Sequence, residues 1–281
     1  MEINSKVANP FIKWVGGKRK LINQFKDLGL LPPQNINQQS YTYFEPFLGG
    51  GAVFFNLKPS KSVLSDTNEE LIITYKIVKT KVNELISCLK DYNNSKEFFY
   101  RIREKDISKM EPLEIASRFI YLNKTAFNGM FRVNSQGKFN VPYGFYSNPL
   151  ICDESNLRNV SRSLQNVDIA CRDFKEVLNY AKSGDFVYLD PPYYPLTKTS
   201  SFTNYTKNGF DTNSQIELKK VFCNLSQSGC YVLLSNSDTD FIRELYGDIK
   251  NIKIHKVLAG RSINSIPNKR GKVSEVVISN Y

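Results

Sequence analysis

Short apolar runs rich in branched and aromatic residues alternate with longer amphipathic stretches along this chain. Tyr43-Phe44-Glu45-Pro46, Ser62-Val63-Leu64-Ser65-Asp66, Val167 to Cys171, Phe186 to Asp190, Cys230 to Ser235, Ile252 to Val257 and Val273 to Ser279 each read as a strand. A long helical pattern runs from about Glu69 to Tyr92, with Leu71, Ile72, Tyr75, Val78, Val82, Leu85, Ile86 and Leu89 on one face. A second covers about Leu113 to Asn123, and further helical stretches lie around Lys175 to Lys182, Ser214 to Ser228 and Asp240 to Tyr246. Strands that alternate with helices predict a largely parallel sheet with covered faces.

Residues Asn128 to Pro149 break the pattern. They are rich in Asn, Gly, Phe, Tyr and Arg, show little periodicity, and read as a functional loop or hairpin. The α/β pattern thus starts, stops and resumes. The expected architecture is α/β: a Rossmann-like core from residues 1–69 and 161–281, with a mainly helical, loop-rich module, 70–160, inserted between its halves.

Composition narrows the partners. The 281 residues carry a net charge of +11. The sequence pI is about 9.3, and an excess this large points to a polyanion. Five Cys with no Cys-x-x-Cys pair argue against a disulfide framework or a zinc cluster and for a reducing compartment. His255 is the single histidine, which excludes a multi-His metal site and leaves a hydrolytic triad one residue to rest on. No apolar run approaches the ~18 residues of a membrane span. Met1 to Pro10 carry no hydrophobic signal region, so a cytoplasmic protein with no membrane partner is expected.

The strand-like run Asp185 to Leu189 ends in Asp190-Pro191-Pro192-Tyr193. One reading is a tight turn after a buried strand, since Pro-Pro punctuates turns. The other is a grip for a flat molecule bearing an exocyclic amine. Asp190 and a proline carbonyl can accept the two N–H bonds, proline brings no competing donor, and Tyr193 can stack on the ring.

Upstream, Glu45-Pro46-Phe47-Leu48-Gly49-Gly50-Gly51 places glycines at a strand-to-helix turn, where the backbone can approach a ligand closely. It is not a G-x-G-x-x-G motif. Asp66 ends the next strand and fits either a grip on ribose hydroxyls or a helix N-cap. Trp14-Val15-Gly16-Gly17-Lys18-Arg19 lacks the first glycine of a phosphate loop and has Arg where Ser or Thr should meet Mg²⁺, which excludes an NTPase. Trp14 could still wall a nucleoside-like cofactor.

Phe11-Ile12-Lys13-Trp14-Val15-Gly16-Gly17-Lys18, the Phe44-to-Gly51 turn and Asp190-Pro191-Pro192-Tyr193 occur in this order. Asn128-Gly129-Met130-Phe131-Arg132 and Phe139-Asn140-Val141-Pro142-Tyr143-Gly144 lie between them, and Thr203-Asn204-Tyr205 and Leu234-Ser235-Asn236 follow. Together they resemble the Dam-type adenine-N6 DNA methyltransferases of the α group, from about Pro10 to Tyr281. Asp in the tetrapeptide is the commoner choice for amino groups of DNA bases, whereas Asn recurs for glutamine side chains and other amines.

The resemblance implies an S-adenosylmethionine-dependent enzyme that needs no metal. It assigns the donor to Trp14, Lys18, Phe47, Gly49, Gly51, Asp66 and Asp190, with Asp173 and Phe174 meeting its adenine, although Phe174 also reads as a core aromatic. Asp190, Pro191, Pro192 and Tyr193 would form the catalytic wall for an adenine flipped out of duplex DNA. Lys13 and Arg132 match guanine-reading positions, Phe127 and Asn128 positions inserted near the flipped base, and Pro142 and Tyr146 further DNA contacts. GATC is the implied target, with a cognate restriction endonuclease as a companion in the same system. One departure stands out: after Gly144 the family usually has Arg-Tyr-Lys, and this chain has Phe145-Tyr146-Ser147. Arg261, Lys269, Arg270 and Lys272 form a candidate compensating basic strip. The alternatives are a single-stranded DNA or RNA amino-methyltransferase and a non-catalytic DNA-binding regulator.

Overall fold

A computed structural model describes residues 7–37, 40–196, 210–260 and 272–281. Thr203-Asn204-Tyr205, Arg261, Lys269 and Arg270 lie outside the described residues. In chain order the elements are α1 (Ile22–Asp27), β1 (Tyr43–Glu45), α2 (Ala52–Leu57), β2 (Ser62–Asp66), α3 (Glu69–Thr80), α4 (Val82–Lys90), α5 (Lys96–Arg103), α6 (Pro112–Thr125) and α7 (Glu154–Ser163). They continue as β3 (Val167–Cys171), β4 (Phe186–Leu189), α8 (Thr212–Gln227), β5 (Tyr231–Ser237), α9 (Asp240–Gly247), β6 (Lys253–Gly260) and β7 (Lys272–Ser279). The fold is mixed α/β and Rossmann-like, with seven strands in the order β3-β2-β1-β4-β5-β7-β6.

Two compact units divide the chain, one of Met1–Gly17, Gly49–Lys58 and Asp66–Cys171, the other of Lys18–Leu48, Pro59–Ser65 and Arg172–Tyr281. In the second, β1 pairs in parallel with both β2 and β4, and β4 with β5. All four residues of β4 are buried, as an unbroken apolar run in a central parallel strand should be. Asp185, just before it, accepts from Thr42 N–H and Lys182 N–H, both at 2.8 Å, and so sets where β4 begins. Val187, Leu189, Val232, Leu234, Val276 and Ile278 share one core with Leu218, Phe222 and Leu225 of α8.

The expectation of a largely parallel sheet holds for β1, β2, β4 and β5 and fails at β6 and β7. β7 runs antiparallel to β5 and to β6. The sequence between β6 and β7 shows no helical period to form the crossover that parallel neighbours need. On β6, Gln24 of α1 bonds the Leu258 peptide twice: Leu258 N–H donates to Gln24 Oε1 at 3.0 Å, and Gln24 Nε2 donates to Leu258 O at 2.9 Å. This covers part of an edge that would otherwise invite pairing with another chain.

The first unit is mainly helical. The single helix expected over Glu69 to Tyr92 is two, broken at Lys81 (φ −135°, ψ 42°). Neither Gly nor Pro stands there. Thr74 and Thr80 hydroxyls donate to the carbonyls four residues back, at 2.7 Å each, which weakens the ladder that the apolar period implies. Phe99, Tyr121 and Leu122 form a core with Phe139, Val141 and Tyr143 of the Asn128-to-Pro149 segment. Arg118 of α6 is buried, pairs with Glu70 of α3 at 2.9 Å, and donates to the Ile102 and Arg103 carbonyls, so its charge is answered. The 3₁₀ turn Phe174–Asn179 stands where a helix from Lys175 was expected. Among the described residues, no helix is long and apolar enough to cross a membrane, and no three metal-ligating side chains converge.

Candidate active site

In the second unit, β4 delivers Asp190 one residue past its buried end. Lys18, from the 3₁₀ turn Lys18–Lys20, is 3% exposed, and its Nζ lies 2.7 Å from Asp190 Oδ1. The same Nζ lies 4.6 Å from the centroid of the Tyr193 ring, within cation–π reach. Burial pushes the Asp190 carboxyl up to about 6, Lys18 pulls against that rise, and the negative Glu275 adds to it. The carboxylate is thus ionised at neutral pH because a buried cation answers it.

The chain around Tyr193 is pinned. Gln215 Nε2 donates to the Pro192 carbonyl at 3.0 Å, and Tyr194 N–H donates to Asn236 Oδ1 at 3.1 Å. Tyr193 Oη donates to Glu275 Oε2 at 2.9 Å. Pro191 is buried and Pro192 exposed. In the same unit, Phe47 stacks on Phe174 at 5.3 Å, and both lie 5.8 Å from Phe210. Phe174 is 7% exposed and belongs to the core of this unit. The Asp173 carboxylate caps the 3₁₀ turn, accepting from Lys175 N–H at 3.0 Å, while Glu176 accepts from Asp173 N–H.

In the first unit, the glycine turn folds under Trp14. Gly49 has φ +46°, and a β-carbon there would sit 2.5 Å from Trp14 Cδ1, so only glycine fits. Trp14 stacks on Phe131 at 5.8 Å. Gly51 (φ 66°) starts α2. The Asp66 carboxylate accepts from Gly49 N–H and from Asn68 N–H, both at 3.0 Å, and burial raises its pKa. Asn68, not Asp66, caps α3, accepting from Leu71 N–H at 2.9 Å. Asp66 therefore ties the glycine turn to the end of β2.

The same unit gathers several residues expected at DNA. Asn123 of α6, 2% exposed, bonds the Lys13 peptide on both sides: Lys13 N–H donates to Oδ1 at 2.8 Å, and Nδ2 donates to Lys13 O at 2.7 Å. Asn123 Nδ2 also donates to the Gly129 carbonyl at 3.1 Å. The Lys13 side chain crosses Gly129 so closely that a β-carbon there would lie 2.4 Å from its Cδ, and its ammonium lies 5.0 Å from the Tyr146 ring centroid. Asn128 is exposed with φ 57°. Phe127 is 50% exposed, and its N–H donates to the Pro142 carbonyl at 2.9 Å. Arg132 Nε donates to Asn140 Oδ1 at 2.7 Å. Phe145, at the position of the departure, has φ 52° and is 73% exposed. The Lys272 side chain lies outside the described residues.

Asn123, Gln215 and Glu275 are organising residues that sequence reasoning passed over. The signal was present: each is a polar residue inside an apolar pattern, Ile120-Tyr121-Leu122-Asn123, the Gln215-Leu218-Phe222 face of α8, and Val273-Ser274-Glu275-Val276. A buried or half-buried polar group in such a place needs a partner, and the partner is distant in sequence.

A family model described as D12 class N6 adenine-specific DNA methyltransferase matches residues 14–263. The chain is 42% identical over 280 residues to the type II methyltransferase M1.LlaDCHI of Lactococcus lactis subsp. cremoris, covering 97% of this chain and 95% of that one. It is 43% identical over 292 residues to the type II methyltransferase M.MjaIII of Methanocaldococcus jannaschii, covering 98% and 99%. It is 35% identical over 271 residues to the DNA adenine methylase of Escherichia coli strain K12, covering 95% and 93%.

Proposed function

The chain belongs to the D12 class N6 adenine-specific DNA methyltransferase family, and from that premise we propose that it methylates adenine within GATC in duplex DNA after flipping the base from the stack. The observation that carries the catalytic reading is the cluster of buried Lys18 with half-buried Asp190 and Tyr193 at the end of β4. Membership in a methyltransferase family implies S-adenosylmethionine, which supplies a methyl group activated on a sulfonium.

The residues present suit that donor. Asp66 is a half-buried carboxylate beside a turn whose Gly49 admits no β-carbon, which suits ribose hydroxyls against a close backbone. Trp14, Gly51, Phe47, Phe174 and Asp173 are assigned to the same donor by their places in the motifs, and the stacked Phe47 and Phe174 supply aromatic faces for a flat base. Lys18 is assigned to organising Asp190 as well as to the donor.

At the wall, Lys18 occupies Asp190 Oδ1, so Oδ2 accepts one adenine N6–H and the Pro191 carbonyl the other. These acceptors favour a pyramidal nitrogen and stabilise the positive charge that grows on it, by fixed electrostatics and in-line positioning. Pro192, held by Gln215, and Tyr193 frame the base, with the Tyr193 ring stacking on it.

Residues 70–160 are assigned to target recognition, with residues 1–69 and 161–281 as the catalytic part. Lys13 and Arg132 read guanines, Phe127 and Asn128 enter the vacated space, and Pro142 and Tyr146 contact the DNA. Support comes from Asn123, which holds Lys13 and Gly129 in one patch. Relatives named type II methyltransferases favour a companion restriction endonuclease, and a DNA substrate favours the cytoplasm. The test is incubation of the purified chain with methyl-labelled S-adenosylmethionine and a GATC duplex, then identification of the product nucleoside. N6-methyladenine in GATC supports the reading. Transfer elsewhere in DNA would refute the target, and transfer to RNA or protein alone would refute the function.

A further inference from the structure

Tyr193 is held from several sides, all within one unit. Gln215 and Asn236 are fully buried and fix the main chain on either side of it, through Pro192 O and Tyr194 N–H. Asn236 Nδ2 donates to Gln215 Oε1 at 2.9 Å, so the two amides lock each other. With the main chain pinned, the ring keeps only rotation about its side-chain bonds. The hydrogen bond from Tyr193 Oη to Glu275 Oε2, at 2.9 Å, holds the far end of that rotation. Glu275 stands mid-strand in β7, paired with Ser237 of β5 and Val257 of β6, so its backbone is rigid. Lys18 covers one face of the ring at 4.6 Å.

We propose that Glu275 is a positioning residue for methyl transfer: its carboxylate holds the Tyr193 hydroxyl and thereby fixes the plane of the ring on which the target adenine stacks, on the face turned away from Lys18. A half-buried phenol is served by a hydrogen-bond partner, and a neutral acceptor would suffice. A carboxylate gives a stronger bond and places a charge beside Asp190. The charges acting on Asp190 are the cation Lys18 and the anion Glu275, while Tyr188 and Tyr193 are held as neutral phenols by burial first and by the negative Asp190 second. Glu275 raises the Asp190 pKa, so it also narrows the acid side of the range in which Asp190 is ionised.

This inference rests on the reading of Asp190 and Tyr193 as the adenine wall. The experiment compares the full-length chain with Y193F, E275A, E275Q and the double variant Y193F/E275A. Single-turnover transfer to a GATC duplex is followed from pH 5 to 9, alongside fluorescence of 2-aminopurine placed at the target adenine and thermal melting. Y193F and E275A should each slow transfer by on the order of tenfold or more, as misplacement of a reacting group does. The double variant should be no slower than the worse single one, because both remove one contact. E275Q keeps an acceptor and should lose less than E275A, yet its acid limb should move to lower pH. The flipped 2-aminopurine should fluoresce more brightly in E275A than in the unsubstituted chain, because the ring no longer stays stacked on it. Additive losses, an unmoved acid limb in E275Q, or unchanged 2-aminopurine emission in a folded E275A would overturn the proposal. If the unsubstituted chain neither methylates the duplex nor alters 2-aminopurine emission, the reading of the wall fails first; normal transfer with indifferent variants sinks only the role of Glu275.

Discussion

Lys18 Nζ stands 2.7 Å from Asp190 Oδ1 and almost wholly out of water, so the carboxylate at the end of β4 has a cation that favours its charged form. A buried charge without its partner is expensive, and Lys18 cannot be removed without altering the ionisation of Asp190.

Replacing Lys18 by Met removes the cation that opposes the upward push on Asp190. The carboxyl should then titrate above its present value of about 6. The acid limb of methyl transfer should move to higher pH, with activity at pH 6 falling more than at pH 8. Single-turnover rates across that range check it, and an unmoved limb would contradict the assigned role.

Asp190 also shapes stability. Its folded pKa lies above the ordinary 3.8, so the folded chain keeps a proton that the unfolded chain releases between 3.8 and about 6. Stability contributed by the protonated form is therefore present below that window and lost as pH rises through it. Asp190→Asn should flatten this part of the melting-temperature profile and slow transfer by on the order of a hundredfold or more. A variant with the same slope would show that another group titrates there.

Gly49→Ala places a β-carbon 2.5 Å from Trp14 Cδ1 at a residue with φ +46°. Backbone strain of this kind costs about 1–3 kcal/mol. The expected outcome is a lower melting temperature together with weaker S-adenosylmethionine binding by calorimetry. Unchanged affinity in a folded protein would remove the glycine turn from the donor site.

Asn123→Ala strips three hydrogen bonds from a buried position that joins Lys13 to Gly129. Unsatisfied buried groups cost about 1–3 kcal/mol. Discrimination between GATC and duplexes with one changed base should narrow as well. Lost stability with full discrimination would make Asn123 a packing residue alone.

Phe145→Arg introduces a cation at an exposed position, 73% accessible, where the family usually carries Arg. One added phosphate contact should steepen the dependence of DNA affinity on salt by about one unit. Fluorescence anisotropy at several salt concentrations measures the slope, and an unchanged slope would place residue 145 away from the phosphates.

Much of the fold was legible because its strands are short apolar runs with clear ends. β2 and β3 were placed on their observed bounds. The Lys81 break was hidden, because threonine hydroxyls that bond back to the ladder leave the apolar period intact. The antiparallel β6 and β7 were hidden because a strand pattern carries no direction.

By itself, the order of motifs from Trp14 to Tyr193 determined the family and the reaction class, since those residue types answer to chemistry local to each turn. Tertiary structure alone decided the partners: Lys18 for Asp190, Glu275 for Tyr193, Asn123 for Lys13 and Gly129. These pairs lie from 6 to 172 residues apart in the chain by their numbering. Burial makes the partners of Lys18 and Asn123 obligatory, because a polar group withdrawn from water must find its partner wherever the fold brings one.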